Sequence, residues 1–447
     1  MRPLHRSLAI LAGCFTVAWF ACPAVPVAAG DADFKTVRRQ VLPKLKSRKT
    51  PDKLAALAKL AAFPTTEAAD LIVKGPLGDP AEAVRKAARD TLIGFHEHPE
   101  IGTHLLSQLS RSANKSGLTT ATGETLWVLG AFTTPEIDKG VARFLDDALN
   151  YPQDSLLFFM TLIDDMGRAA DANAMQAIEL MSGAEYFSSN FGYRRCIVQA
   201  ATRVRAPEAI TFLIALLPKT EGLIQHDVVQ HLTNATKQKF LDDPGAWRVW
   251  WEKNKNTFKF PPEADLAKDE NIDGKAPAYH GIPICAKRVL FLLDTSKSMQ
   301  GGAIEAAKRE LTAAIQQLPV EVYFNVIMFD RGAFPWQTKM VRADSGMKEL
   351  ASRAIAEKPL GLGTASFAAL KAAFQMDPEA IYFLSDGAPT DGPRDAIVQT
   401  ISEANRTRRI SLHSIGFGAG RPAEAVLAEF MRSLALGNYG RFRPVDQ

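Results

Sequence analysis

Five consecutive apolar residues run directly into a polar, serine-rich segment in the stretch Val289-Leu290-Phe291-Leu292-Leu293-Asp294-Thr295-Ser296-Lys297-Ser298. A strand that is covered by helices on both faces is apolar along its whole length, because neither face meets water. Polar residues that follow such a strand lie at the edge of the sheet, where parallel α/β sheets bind their ligands. The stretch therefore predicts a buried parallel strand with a functional loop directly after it.

Apolar runs continue to alternate with helical segments beyond this stretch. The runs predicted as strands lie at residues 289–293, 320–329, 380–384 and 410–415. Segments with the apolar spacing of helices lie at residues 303–318, 345–357, 368–374, 393–406 and 422–436, and the segment Gly437-Asn438-Tyr439-Gly440 could introduce a closing strand. Strands that alternate with helices form parallel βαβ units. The sequence from residue 287 onward therefore predicts a doubly wound α/β fold.

Two further polar segments occur where this fold places loops at the same edge of the sheet. Gly361-Leu362-Gly363-Thr364 comes before the helix at 368–374, and Ser385-Asp386-Gly387 follows the apolar run at 380–384. We expect these segments to meet the first loop where the winding of the sheet reverses. The residues that would then cluster are Asp294, Ser296, Ser298, Thr364 and Asp386. Their oxygens are hard donors, which favour Mg²⁺, Mn²⁺ or Ca²⁺ over zinc or copper.

This set of residues resembles the metal-ion-dependent adhesion site of the von Willebrand factor A family, which has D-x-S-x-S on one loop, a Thr on a second and an Asp on a third. The resemblance extends from near Arg288 to Pro444. It implies that the three hydroxyls bind one divalent cation, with Mg²⁺ favoured, and that the two carboxylates contribute partly through water. It also implies an open coordination position that an Asp or Glu carboxylate of a protein partner completes. Lys297 departs from the family pattern, which usually has Gly there, and it adds a positive charge beside the cation.

The first half of the chain, residues 34–254, has the apolar spacing of helices throughout. In its clearest unit, Asp79 is expected to cap a helix that has Pro80 at its first position, with Val84, Ala87, Ala88 and Leu92 on one face. This unit resembles a HEAT repeat, and looser echoes begin near residues 195 and 226. The expectation is an all-α HEAT-like solenoid, an extended surface on which a second protein can dock.

The boundary between the two parts is predicted from a closing helix and a change in composition. Trp247, Trp250 and Trp251 share one face of a helix that follows Asp243-Pro244, as expected of a helix that seals the last repeat. The domains are thus predicted at residues 34–254 and 287–447, with residues 255–286 forming a linker and a lead-in strand.

The N-terminus has the features of a secretory signal over residues 1–29: a basic start, an apolar run and a small-residue site before Gly30. One alternative is a lipid anchor at Cys14, within Leu11-Ala12-Gly13-Cys14. Another is an uncleaved membrane anchor, for which the apolar run is shorter than the ~20 residues needed to span a bilayer. With the signal cleaved, the mature protein is expected outside the cytoplasm and without a membrane-spanning segment. Cys196 and Cys285 then remain, as two free thiols or as a disulfide between the domains.

Charge and motifs restrict the class of function. The formal net charge of the 447 residues is +4, of which Arg2 and Arg6 in the signal contribute two, so nothing indicates a nucleic-acid partner. No G-x-S-x-G, H-E-x-x-H or phosphate-loop motif occurs. A phosphohydrolase with Asp294 as nucleophile is an alternative, but such enzymes need a second Asp where this chain has Ser296. A chelatase-type partner of an ATPase is another, and the signal segment argues against it. The sequence therefore predicts a non-enzymatic adaptor.

Overall fold

The computed structural model describes residues 31–149, 154–262, 276–418 and 425–445. The predicted signal segment and Cys14 lie outside these ranges. From residue 31 to residue 254 the described chain is helical, as the apolar spacing predicts. The helices are α1 (Asp31–Leu45), α2 (Thr50–Leu60), α3 (Thr66–Val73), α4 (Glu82–Ile93), α5 (Pro99–Ser116), α6 (Thr120–Leu129), α7 (Pro135–Leu149), α8 (Asp154–Ala169), α9 (Ala172–Met181), α10 (Glu185–Ser189), α11 (Phe191–Ala201), α12 (Pro207–Leu216), α13 (Gly222–Thr236) and α14 (Pro244–Asn254).

These helices pack in two layers. Helices α2, α4, α6, α8, α11 and α13 contact one another in that order, and α3, α5, α7, α9, α12 and α14 do the same in the second layer. One continuous apolar core runs between the layers from Val41 to Trp251. Each helix therefore buries its apolar face mainly against near neighbours in the chain, which is why the helical spacing is so regular in the sequence.

The local prediction for the clearest repeat is correct for its apolar face and wrong for its cap. Val84, Ala88 and Leu92 are fully buried along α4, and Ala87 is half-buried. The residue before the helix is Ala81, whose side chain makes no capping bond. Asp79 instead accepts a hydrogen bond from the Ala81 amide and forms an ion pair with Lys53 of α2. The helix begins three residues after Asp79, whose carboxylate bridges the Ala81 amide and Lys53 rather than capping the first turn.

The closing helix α14 agrees with its prediction. Asp243 Oδ1 accepts hydrogen bonds from the amides of Gly245 and Ala246, at 2.8 Å and 3.0 Å, and Pro244 occupies the first helical position. Trp247 and Trp251 are buried, and Trp250 packs with Trp251 and Phe258. The aromatic face therefore seals the end of the helical core.

The rest of the described chain is an α/β region built on a twisted sheet. A short hairpin, β1 (Ala278–Tyr279) and β2 (Ile282–Pro283), leads into it. The strands of the main sheet are β3 (Arg288–Asp294), β4 (Tyr323–Phe329), β5 (Ala333–Pro335), β6 (Val341–Arg342), β7 (Ala380–Ser385), β8 (Ser411–Phe417) and β9 (Phe442–Val445). The helices are α15 (Gly302–Gln317), α16 (Ser345–Glu357), α17 (Ser366–Phe374), α18 (Arg394–Asn405) and α19 (Ala425–Leu436).

The sheet order is β5-β4-β3-β7-β8-β9, and β6 pairs with the other end of β4. Strands β3, β4, β7, β8 and β9 are parallel, and β3 pairs with β4 on one side and β7 on the other. The winding therefore reverses at β3, and its carboxyl end lies at the crevice where such folds bind ligands. The antiparallel edge strands β5 and β6 are absent from the sequence prediction, because short edge strands that are partly exposed carry no apolar run.

The helical region packs against the opposite, amino-terminal edge of the sheet. Arg409 lies just before β8 and is 2% exposed. Its guanidinium donates to Gln199 Oε1 at 2.7 Å and forms an ion pair with Asp164. In return, Arg195 of α11 donates to the Arg409 carbonyl oxygen, and Leu223 of α13 is buried in the core of the α/β region. The two regions therefore share a buried polar interface that leaves the carboxyl edge of the sheet uncovered by these contacts.

Among the described residues, Cys196 and Cys285 are not joined by a disulfide. Cys196 lies within the helical region beside Arg409, and burial raises the pKa of its thiol to about 12. Cys285 is half-buried in the segment before β3. Among the described helices, none is both long and apolar enough to cross a lipid bilayer.

Candidate metal centre

The first loop of the predicted site is held in place by Asp294, the last residue of β3. Its carboxylate is fully buried, and it accepts hydrogen bonds from the Ser296 amide at 2.8 Å and from the Ser385 hydroxyl. The chain therefore turns back over its own strand end, and this turn brings Ser296 Oγ to within 2.8 Å of Ser298 Oγ.

The third loop meets the first through Asp386. Ser298 Oγ donates a hydrogen bond to Asp386 Oδ1 at 2.7 Å. Ser385, which ends the neighbouring strand β7, contributes the hydroxyl that contacts Asp294. The adjacency of β3 and β7 in the sheet thus places both carboxylates of the predicted site beside the same pair of serines.

The second loop, which carries Thr364, is joined to both of the others. The Gly361 amide donates to the Thr295 carbonyl at 2.8 Å, and the Lys297 amide donates to the Gly361 carbonyl at 2.9 Å. On the other side of the loop, the Thr364 amide donates to Thr390 Oγ1, and the Thr390 amide donates to the Thr364 carbonyl oxygen, both at 2.9 Å. Thr364 itself is 5% exposed. The loop is therefore positioned by backbone bonds rather than by regular secondary structure.

Two residues that support this arrangement are missing from the sequence prediction. Thr390 holds the Thr364 amide, and the Asp391 carboxylate accepts hydrogen bonds from the Phe367 and Ala368 amides at the start of α17. The sequence gives one indication of these two residues, which is that both lie in the polar segment that contains Asp386. A polar residue in a loop does not reveal which distant amide it caps, so the pairing could not be inferred.

The three loops converge at Gly387. A Cβ atom at this residue would lie 3.3 Å from Thr364 Oγ1 and 3.6 Å from Ser298 Oγ. Both hydroxyls therefore face the same small volume, which the missing side chain leaves open. The structure thus brings together all five residues that the sequence singled out.

The residues present fit a hard divalent cation. Two carboxylates and three hydroxyls lie in one cluster beside Gly387, and all of them offer the oxygen donors that Mg²⁺, Mn²⁺ and Ca²⁺ prefer. Within the described ranges, no group of three or more His, Cys, Asp or Glu side chains could hold a metal. In particular, His104 bonds to Asp70 and His98 to Glu100, so the histidines near residue 100 do not form a centre of their own.

The two carboxylates differ in environment. Burial raises the pKa of Asp294 to about 6, an effect that hydrogen bonds from Ser385 and Ser296 partly offset and that the nearby Asp386 increases. Asp386 is half-buried at the surface of the site. A buried carboxylate with a raised pKa gains from a nearby cation, because the cation compensates the charge that burial penalises.

The rim of the site is basic and apolar. Lys297 and Arg331 are exposed, and the Arg331 backbone lies against Gly363, directly before Thr364. Leu362 on the same loop is 65% exposed.

Comparison with known proteins places this site in a known domain type. The family model described as von Willebrand factor type A domain matches residues 287–439. The von Willebrand factor A domain-containing protein 3B of Homo sapiens is 29% identical over 156 residues, which are 34% of this chain and 11% of that protein. Inter-alpha-trypsin inhibitor heavy chain H4 of Homo sapiens is 31% identical over 186 residues, 38% of this chain and 19% of that protein. The corresponding heavy chain H1 of Sus scrofa is 26% identical over 212 residues, 44% and 22% of the two chains. The chain thus spans a quarter or less of the length of these relatives.

Among solved structures, a von Willebrand factor type A protein from Catenulispora acidiphila is similar, with 20% identity and a TM-score of 0.33 over 37% of this chain and 40% of that one. The PilB minor pilin from Streptococcus sanguinis is similar at 14% identity and a TM-score of 0.28, over 37% and 59% of the two chains.

Proposed function

Because residues 287–439 are a von Willebrand factor type A domain, we propose that this chain is a non-enzymatic protein-binding adaptor of an extracytoplasmic compartment. Its α/β domain recognises an Asp or Glu side chain of a protein partner in the presence of one divalent cation, with Mg²⁺ favoured over Mn²⁺ and Ca²⁺. The residues that would hold the cation are Asp294, Ser296, Ser298, Thr364 and Asp386. The helical region provides a second docking surface.

The observation that supports this proposal best is the convergence of three separate loops on one open volume. Ser298 bonds to Asp386, and both Ser298 and Thr364 face Gly387. Hydroxyl groups have no charge to repel one another, so they can be held close together without a ligand. Five hard donors that contain only two carboxylates leave a bound divalent cation able to accept a further negative ligand.

The surroundings of the site favour a negatively charged partner. Lys297 and Arg331 add two positive charges at the rim, while the Asp294 carboxylate is buried beneath the serines. Basic residues at the rim steer an acidic surface toward the site and accelerate its association. Leu362, exposed on the Thr364 loop, offers an apolar contact to a residue beside the partner's carboxylate.

The position of Asp294 argues against a phosphohydrolase. Its carboxylate is fully buried, and hydrogen bonds from Ser296 and Ser385 occupy its two oxygens. A carboxylate nucleophile must reach the reacting phosphorus atom directly, and it works best with a neighbouring acid or base. Ser296 stands where a second carboxylate would be required. We therefore assign Asp294 to binding.

For the helical region we propose a HEAT-like solenoid at residues 34–254 that docks a second protein. The two-layer packing supports this assignment. A groove of about 750 Å³ runs between α4, α6 and α8, where the Arg89 guanidinium lies 3.8 Å from the Trp127 ring and pairs with Glu124.

The proposal is tested first with metal alone. We expect Mn²⁺ or Mg²⁺ to raise the melting temperature of the mature chain, because a ligand of the native state stabilises it by mass action. Asp294→Ala removes a carboxylate that compensates the charge of the cation, and it should abolish metal binding in titration calorimetry. Thr364→Ala removes one neutral donor, which water can replace, and should retain much of the metal affinity. The exposed Thr338 provides a matched control, since Thr338→Ala should behave as wild type.

The second step tests partner recognition. Proteins that the intact chain retains in Mg²⁺ and releases to a chelator would be identified, purified and titrated against both variants. Thr364→Ala should lose the partner even where it keeps the cation. If metal leaves the melting temperature unchanged at millimolar concentration, the metal centre is wrong. If Thr364→Ala binds the purified partner as tightly as wild type, the partner uses another surface.

A further inference from the structure

A buried ion pair lies beside the loop that carries Thr364, and neither member belongs to the candidate ligand set. Asp330 follows β4 and is 5% exposed. Its Oδ2 atom accepts a hydrogen bond from Lys358 Nζ at 2.9 Å. Lys358 is the first residue after α16, and its side chain is 16% exposed. The pair thus joins the end of the strand next to β3 to the start of the Thr364 loop.

The Asp330 carboxylate also fills the space above Gly361. A Cβ atom at Gly361 would lie 2.2 Å from Asp330 Oδ2 and 2.7 Å from Asp330 Cβ, so no other residue fits there without a shift. The Asp330 carbonyl oxygen accepts a hydrogen bond from the Ala365 amide at 2.6 Å. Asp330 therefore contacts the Thr364 loop at its start, its middle and its end.

Gly361 is in turn the residue that connects this loop to the Asp294 loop. It forms an isolated bridge with Ser296, in which it donates to Thr295 and accepts from Lys297. If Gly361 is displaced relative to the sheet, Thr364 therefore moves relative to Ser296 and Ser298. We infer that Asp330 and Lys358 are positioning residues, which set the affinity of the metal centre and of its partner without contacting either. This inference rests on the proposed function.

The lysine is needed because the carboxylate is buried. Without Lys358, the buried Asp330 carboxylate would lose its cation and would be driven to rotate toward solvent. Its contact with Gly361 and with the start of the loop would then weaken. Lys358 is held by further contacts: its Nζ lies 4.2 Å from the Phe334 ring, and its carbonyl oxygen accepts a hydrogen bond from Lys308. The pair is therefore a fixed support rather than a surface ion pair.

A purely electrostatic role of Lys358 predicts the opposite change in metal affinity when the lysine is removed. If Lys358 only neutralises a carboxylate near the cation, its removal leaves an extra negative charge and should strengthen metal binding. If the pair positions the loop, its removal should weaken metal binding. The direction of the change in Lys358→Met therefore distinguishes the two roles.

The experiment uses the full mature chain and Mn²⁺ as the probe. Lys358→Met and Asp330→Asn are expected to weaken Mn²⁺ binding about tenfold in calorimetry, whereas Lys358→Arg should remain within about threefold of wild type because it restores the charge. The matched control is Lys348→Met, since Lys348 donates to the Gln316 and Leu318 carbonyls at the far end of α16. Hydrogen exchange without metal adds a second measurement: the Gly361 and Lys297 amides should exchange faster in Asp330→Asn and not in Lys348→Met.

Unchanged or tighter Mn²⁺ binding by Lys358→Met, with unchanged exchange at Gly361, overturns the inference. If Lys358→Met does not fold, hydrogen exchange at Gly361 and Lys297 in metal-free Asp330→Asn decides, because a purely electrostatic role leaves that exchange unchanged. A wild-type chain that binds no Mn²⁺ instead overturns the proposed function, and the exchange measurement still decides whether the pair holds the loop.

Discussion

Arg409 is one of two buried arginines at the interface between the helical and α/β regions, and the removal of its charge should be measurable. Arg409→Met keeps most of the volume of the side chain but removes its charge and its hydrogen bonds to Gln199 and Cys196. The carboxylate of Asp164 also loses one of its two partners. The backbone carbonyl that Arg195 contacts is retained, so the variant tests the guanidinium alone.

The expected size of the effect follows from what remains around Asp164. Removal of one member of a buried ion pair costs roughly 3–5 kcal/mol when the other member is left unpaired. Asp164 is 21% exposed and keeps a second partner, Arg203, at 3.0 Å. We therefore expect a smaller destabilisation, of about 2–3 kcal/mol. Because the bonds of the Arg409 guanidinium join the two regions, the substitution should mainly weaken the free-energy coupling that makes the two regions unfold together.

Chemical unfolding followed by circular dichroism, together with calorimetry, measures this coupling. The wild-type chain should unfold in one cooperative transition, and Arg409→Met should resolve a transition of the helical region from that of the α/β region. Arg408→Met is the matched control, because the exposed Arg408 side chain contacts Phe374 within its own region. The double variant Asp164→Leu with Arg409→Met should recover part of the stability, since it leaves no buried charge without a partner.

A destabilisation in Arg409→Met no larger than that in Arg408→Met would refute this reasoning. The interface would then be a contact of low energy, and the two regions would be independent in solution. Two separate transitions already present in the wild-type chain would lead to the same conclusion.

Two further predictions concern the α/β region. His413 is buried, stacks on Tyr382 and accepts a hydrogen bond from the Arg441 amide, and burial together with Arg441 and Arg195 lowers its pKa from 6.5 to about 3. Below pH 6.5 this imidazole is therefore protonated in the unfolded chain and neutral in the folded one. Its contribution to the free energy of unfolding is complete above that pH and falls by about 2–3 kcal/mol by pH 4.5. His413→Gln should reduce the loss of unfolding free energy between pH 7 and 4.5, and an unchanged pH dependence would contradict the assignment. At Gly440 a Cβ atom would lie 1.8 Å from the Leu412 carbonyl oxygen, so Gly440→Ala should lower stability by about 3 kcal/mol in thermal unfolding. Gly302→Ala, where no atom lies within 4 Å, should be nearly neutral, and equal effects of the two substitutions would show that the β8–β9 contact can adapt.

Much of this fold can be predicted from the sequence alone, because buried apolar residues recur along the chain at the period of the helix or strand that carries them. The short continuous apolar run at 289–293, which ends in a polar loop, is typical of a strand covered on both faces, and the helical spacing of residues 34–254 indicates helices that bury one side. The position of polar residues directly after two such strands, at Asp294 and Asp386, then fixes the edge of the sheet at which they meet. These are local patterns, and local patterns can be read without knowing the partner of any residue.

The tertiary structure decided everything that depends on the identity of a distant partner. Asp79 is expected to cap α4 on local grounds, but the helix begins later and Asp79 pairs with Lys53. Thr390 and Asp330 are ordinary polar loop residues in the sequence, and only the fold shows that they contact Thr364, Lys358 and Gly361. The docking of Arg409 onto Asp164 joins residues that are 245 positions apart. Apolar periodicity reports that a side chain is buried but not what it is buried against, whereas hydrogen bonds and ion pairs are specific to their partners. The supports of the metal centre and the interface between the regions consist of such bonds, and for this reason only the folded chain reveals them.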